Sequence, residues 1–181
     1  MKRLGMALLA VALLVTAAGP AMAQGHLRYG VQAGLLMPVS DYNTVDKMGF
    51  IGGVGATYWL PGTGNIGVRA DVSYSSTAHK SPATGNTKII GGMASFVYAL
   101  QPASAPARFM LTGGVGFYSL DFGGGSPTQS KLGFGGGAAV AFKLGPSSTR
   151  LVVATRYTSV ATDGTSRLNF VPITVGLSFG K

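Results

Sequence analysis

Arg69 and Asp71 stand two residues apart in VRADVSY, with Val68, Ala70 and Val72 between and around them. In an extended chain that spacing puts a cation and an acid on one face and the apolar residues on the other. Arg28, Gln32, Ser73 and Arg156 are expected to share that face. The set carries three cations and one acid, so it could draw an anion inward, or Arg and Asp could simply neutralise each other while Gln32, Ser73, Ser75 and Thr174 satisfy the rest. Other candidates are thinner. His79-x-Ser81 offers an imidazole base and a hydroxyl, but a hydrolase pair needs an acidic orienter, and the chain has no Glu to supply one. His26 has no partner nearby, and two isolated His do not make a transition-metal site. Gly62-x-Gly64-x-x-Gly67 spells the dinucleotide fingerprint, yet that motif requires a helix after its glycines, and a strand pattern follows here. Gly123–Gly125 and Gly135–Gly137 lack the Lys-Ser/Thr of a phosphate loop. No catalytic residue, metal or cofactor is expected.

The elements that must hold these residues are strands. In FVPITVGLSF, Val171, Ile173, Val175, Leu177 and Phe179 alternate with Pro172, Thr174, Gly176 and Ser178, a period of two. Leu27, Tyr29, Val31, Ala33 and Leu35 do the same in the first strand. Further strands are expected at about 48–60, 66–76, 87–100, 108–120, 132–142 and 150–160. The fourth has two apolar or Gly faces and an open register. No stretch has the 3.6-residue apolar period of a helix. Connections after strands two, four and six are short and Pro-containing, whereas the others are longer and hold Asp41, Asp46, Asp121 and Asp163. Tyr58, Trp59, Tyr98 and Phe142 fall near one set of strand ends, and Phe50, Tyr74, Phe117 and Phe122 near the other, as two aromatic girdles would. Pro172 is expected near the outer end of the last strand, where a missing ladder donor is tolerated.

Charged residues are only 10% of the chain, against roughly 25% in soluble domains. The uncharged strand face therefore fits lipid better than water. An Arg on that face at mid-depth would cost about 2–4 kcal/mol, which assigns Arg69 and Asp71 to a lumen. Arg108, Lys143 and Arg150 are expected at the inner rim, their charges reaching for water. Lys2 and Arg3, the apolar run Leu8 to Ala18 and Ala21-Met22-Ala23 have the form of a cleavable signal peptide. Residues 1–23 are thus a leader and 24–181 one barrel domain. Its removal takes two cations from the 14, leaving 12 against 5 acids, or +7. These cations are scattered singly rather than clustered, so no nucleic-acid partner is expected. With no Cys, disulfides and thiolate sites are excluded.

The opening YGVQAGLLMPVSDY, the third strand VRADVSY, the closing VPITVGLSF and the leader together resemble the small eight-stranded outer-membrane barrel family, the outer membrane protein beta-barrel domain proteins. The resemblance covers the whole mature chain. It implies an all-β, eight-stranded antiparallel up-and-down transmembrane barrel in the outer membrane of Gram-negative bacteria, with both termini periplasmic. It also implies outer-membrane lipid as surroundings and the barrel-assembly machinery as a partner, which reads a final strand ending on an aromatic residue. Phe179 would take that role, although Gly180 and Lys181 follow it. His79-x-Ser81 is similar to the His and Ser of outer-membrane lipid A deacylases, but it falls in a loop. The first functional expectation is a structural or surface-interaction role without catalysis. The alternatives are a narrow anion or small-solute channel and a soluble, lipocalin-like periplasmic ligand binder.

Overall fold

The structure is a computed structural model that describes residues 26–62, 64–82, 84–125, 127–163 and 166–180. The expected leader and its cleavage site lie outside the described residues. The strands are β1 (His26–Val39), β2 (Gly49–Trp59), β3 (Ile66–Ala78), β4 (Asn86–Ala99), β5 (Ala107–Asp121), β6 (Gln129–Lys143), β7 (Arg150–Ala161) and β8 (Arg167–Phe179). Each pairs antiparallel with its successor, and β8 returns to β1, so the eight strands form a closed barrel. The closing seam runs from Tyr29↔Phe179 to Val39↔Asn169. Both ends of the strand sequence, His26 and Phe179, lie at one mouth, called here the termini end. The opposite mouth is the far end.

Alternation along the strands sorts the side chains. Val31, Leu35, Val54, Val68, Val72, Phe96, Leu111, Val115, Phe117, Leu132, Phe134, Ile173 and Val175 all point outward and are exposed. An apolar exterior of this kind is what a lipid-facing barrel needs, and it is the opposite of the charged exterior that a soluble ligand binder would require. The ambiguous fourth strand resolves with Lys88, Ile90, Ala94, Phe96 and Tyr98 outside and Ile89, Met93, Ser95 and Val97 inside. Both its faces are apolar because the inner one packs in a core while the outer one meets lipid.

Several expectations need correcting. A five-residue helix, α1 (Asp41–Val45), occupies the β1–β2 connection. Five residues are too few to show a 3.6-residue period. The difference in connection length is confined to this link: residues 79–85, 122–128 and 162–166 at the far end match 60–65, 100–106 and 144–149 at the other. The strands simply continue past the apolar belt through polar pairs such as Thr77↔Thr87. Trp59 does not join a girdle; it is 6% exposed and faces inward, whereas its neighbour Tyr58 takes the outer face. Phe122 packs against the interior cluster instead of lipid. Pro172 is mid-strand, paired with Leu36 of β1 and buried. On its other edge the β7–β8 ladder lapses between Thr155↔Ile173 and Thr158↔Phe170, where a residue without an N–H cannot donate. The Gly62/Gly64 segment is the β2–β3 turn, with positive φ at both glycines.

The interior has two apolar clusters. Leu36, Ile51, Ile89, Tyr118, Leu120, Val160, Leu168 and Phe170, with Tyr42 of α1, fill the far half. Trp59, Val97 and Ala99 pack at the termini end. Tyr118 fits because its neighbours are glycines: a Cβ on Gly91 would come within 2.6 Å of its ring, and one on Gly133 within 2.8 Å. A Cβ on Gly92, one residue along and facing out, would meet nothing within 4 Å. Gly91→Ala should therefore displace Tyr118 and destabilise the barrel by about 1–3 kcal/mol, while Gly92→Ala should change stability little. Urea unfolding midpoints in lipid vesicles check this, and equal midpoints for the two variants would contradict it.

Candidate functional site

Mid-lumen, Asp71 is the hub. It is 6% exposed, and its carboxylate faces two guanidiniums: Arg69 Nε at 3.4 Å and Arg156 Nη2 at 3.4 Å. Arg69 Nη2 donates to Gln32 Oε1, also at 3.4 Å, and Arg156 abuts Met93 Sδ. These distances exceed those of a tight charge-assisted bond, so the groups share one region loosely instead of locking pairwise. They line a cavity of about 80 Å³ with Ser73, Tyr118 and Thr174. β3 supplies Arg69, Asp71 and Ser73 by period-two placement, β7 supplies Arg156 and β1 supplies Gln32. The structure thus brings together five of the residues expected in the lumen. The sixth, Arg28, is apart.

Arg28 lies at the termini end. Its Nε donates to Ser178 Oγ at 3.2 Å, and its Nη atoms to the carbonyls of Gly180 (2.9 Å), Ser178 (3.0 Å) and Ser148. It ties the start of β1 to the end of β8 and to the β6–β7 turn. Arg108 donates to the carbonyls of Gln101 and Gly64 and lies 4.4 Å over the Trp59 ring, a cation–π contact. Arg150 donates to the carbonyls of Ala103 (2.7 Å) and Ala105 (3.2 Å). Instead of reaching for water, the rim arginines fold back to bind the short turns.

The far end carries a cluster that sequence reasoning missed. Asp46, fully buried, has Oδ1 2.6 Å from His79 Nδ1 and accepts from Thr77 Oγ1 at 2.5 Å through Oδ2. Because Thr77 gives its proton to Asp46, the Tyr42 hydroxyl, 2.6 Å away, is the donor to Thr77. Burial first, and the nearby Asp46 charge as well, raise the pKa of Tyr42 above its ordinary value and keep the hydroxyl protonated. His79 Nε2 lies 3.0 Å from the Phe122 carbonyl oxygen. Backbone bonds bind the same loops, with Lys47 N–H donating to Ala78 O at 2.8 Å and Lys80 N–H to Val45 O at 2.7 Å. One imidazole thus joins three connections: β1–β2, β3–β4 and β5–β6.

An acidic partner for His79 therefore exists after all, on a residue remote in sequence. The imidazole is nevertheless not arranged as a base for Ser81. Its second nitrogen faces a carbonyl, and no hydrogen bond links His79 to Ser81 among the described residues. With acceptors on both sides, the form that satisfies both is the doubly protonated imidazolium.

The closed eight-stranded topology, the uncharged outer face and the polar lumen can now be set beside known proteins. The family described as outer membrane protein beta-barrel domain matches residues 7–179. The chain belongs to that family. No match is found among curated proteins. Among solved structures, Neisserial surface protein A is similar at 17% identity and a TM-score of 0.62, over 87% of this chain and 97% of that one. OprG from Pseudomonas aeruginosa is similar at 11% identity and a TM-score of 0.58, over 88% and 98%. Ail of Yersinia pestis, solved with the heparin analogue sucrose octasulfate, is similar at 18% identity and a TM-score of 0.51, over 86% and 99%. At such identities the likeness establishes the fold: a small barrel of the outer membrane.

In this outer-membrane barrel the His79 contact has a pH signature. The Asp46 hydrogen bond is the main cause that raises the His79 pKa above its ordinary 6.5; desolvation opposes it, and the Phe122 carbonyl and the Asp46 charge add to it. A raised histidine stabilises the fold fully below the unfolded value, and the contribution is lost as pH rises through the folded one. Far-end amides at residues 42–46 and 79–81, corrected for intrinsic exchange, should thus be better protected at pH 6 than at pH 9. His79→Asn should abolish the difference. Equal pH dependence in wild type and variant would contradict the charged contact.

Proposed function

We propose that this protein is a non-conducting barrel of the outer membrane, with a structural or surface-interaction role and no catalysis, delivered by a cleaved leader and seated with both termini in the periplasm. The observation that carries the reading is the state of the lumen. Leu36, Leu120 and Val160, on β1, β5 and β7, have no accessible surface and belong to the cluster that fills the far half. Eight strands enclose little more than the space that side chains occupy, and here apolar ones occupy it across the bore. An ion crossing this layer would lose its water with nothing to replace it.

In this reading the Asp71 group is internal support. Two guanidiniums offset one buried carboxylate, and the loose geometry matches a cavity with room for only a few water molecules. The outward residues of β8, Val171, Ile173, Val175, Leu177 and Phe179, would serve lipid contact and recognition by the barrel-assembly machinery. The alternation of exposed and buried positions there supports this role. The joined far-end loops, facing outward in this orientation, would form the presented surface.

A second reading, a narrow anion channel, is favoured by one feature: Arg69 and Arg156 outnumber Asp71 in the lumen. Planar-bilayer recording separates the two. Wild type should give no steady conductance, and Leu120→Ala combined with Tyr118→Ala should open one by emptying the apolar layer. Steady anion-selective current in the wild type, lost on Arg69→Ala, would overturn the closed barrel and establish the channel.

A further inference from the structure

Cations lie at both mouths, but the acids are divided unevenly between them. Asp41, Asp46, Asp121 and Asp163 all lie at the far end, and Asp71 is mid-lumen. At the termini end, Arg28, Arg108, Lys143 and Arg150 gather, and the turns 60–65, 100–106 and 144–149 contain no acid. Arg28 and Arg150 are close enough to repel one another, and Arg108 feels both. Their acceptors are carbonyl and hydroxyl oxygens. Those satisfy N–H groups but, among the described residues, leave the net charge without an acidic partner, in a partly buried mouth where like charges are costly.

The recess among these groups has the size and chemistry of an anion site. It measures about 280 Å³ and is lined by Arg28, Lys143, Arg150, Ser147 and Ser148, with Ala103 and Pro146. Donors remain for a guest. Among the described residues, Lys143 Nζ, Arg150 Nε and the Ser148 hydroxyl donate to nothing. The Arg28 and Arg150 guanidiniums are held rigid by the turn carbonyls they bind, so little side-chain freedom is left to lose on binding. A tetrahedral oxyanion with several acceptor oxygens matches rigid guanidiniums plus one mobile ammonium.

We propose that the recess formed by Arg28, Lys143, Arg150 and Ser148 at the termini mouth binds a phosphate group, on a small solute or on a lipid headgroup. The bound dianion or monoanion neutralises the rim and accepts from Lys143 Nζ and the free guanidinium N–H groups. The site is independent of whether the lumen conducts and of which compartment the termini face.

Trp59, the single Trp of the chain, lies under Arg108 at the same mouth and serves as a reporter. The mature protein is reconstituted in phosphatidylcholine nanodiscs and titrated with inorganic phosphate against chloride at constant ionic strength. Trp59 emission and calorimetry are read together, so a silent Trp59 leaves the heat signal decisive. Phosphate should bind saturably, and Lys143→Gln, which removes a cation that ties no turn, should weaken binding about tenfold, the worth of one charge-assisted hydrogen bond. If a headgroup is the natural source, phosphatidylglycerol discs should occupy the site and suppress phosphate binding in wild type but less so in Lys143→Gln. If a solute is the source, the two disc types should bind phosphate alike. Absence of saturable binding beyond chloride in both disc types, or an unchanged midpoint in Lys143→Gln, would overturn the site.

Discussion

In hydrocarbon no water completes a hydrogen bond, so the backbone N–H and C=O groups of spanning strands are driven to pair within the sheet. The return of β8 to β1 is how that demand is met, and most other features follow from it. Short connections between successive strands make every neighbour antiparallel, and with eight strands this brings His26 and Phe179 to one mouth. Closure requires an outer face without charge, hence the low content of ionisable residues. It also turns Arg69, Asp71 and Arg156 into a narrow lumen, where they face one another.

That lumen is layered along the axis. At the termini mouth, arginines bind the carbonyls of the short turns and hold the hairpins in place. Midway, Asp71 faces Arg69 and Arg156. Above it lies an apolar layer built around Tyr118, Leu120 and Phe170, with Gly91 and Gly133 making room for the Tyr118 ring. At the far mouth Asp46, Thr77, Tyr42 and His79 bind three connections into one surface. The exterior is almost uniform by comparison.

Much of the fold was legible because period-two alternation survives wherever one face is lipid and the other polar. β3 and β8 show this, and on β3 the spacing of Arg69 and Asp71, with the cost of an Arg in lipid, assigns both to the interior. β4 was not legible, since an apolar core below and lipid above erase the contrast between Ile89 and Ile90. Nor could alternation decide between the adjacent aromatics Tyr58 and Trp59, of which Trp59 turns inward beneath Arg108. The Asp46–His79 contact was hidden because its members sit in different connections and meet only once the barrel closes. A hint existed in the isolated acids of the loops, each of which needs a partner if buried. The missing N–H of Pro172 points to the outer end of the strand, whereas the barrel tolerates a local lapse in one ladder while the other edge stays paired.

The central claim is closure in a specific register, and the absence of cysteine from the chain makes it directly testable. Ala33 and Val175 are cross-strand partners on the β1–β8 seam, within the reach of a disulfide. The double variant Ala33→Cys/Val175→Cys, folded into vesicles and oxidised, should form an intramolecular disulfide that shifts its gel mobility. Ala33→Cys/Ile173→Cys, two residues out of register, should not. Failure of the first pair to link, or equal linking by the second, would contradict the closed barrel on which every other conclusion rests.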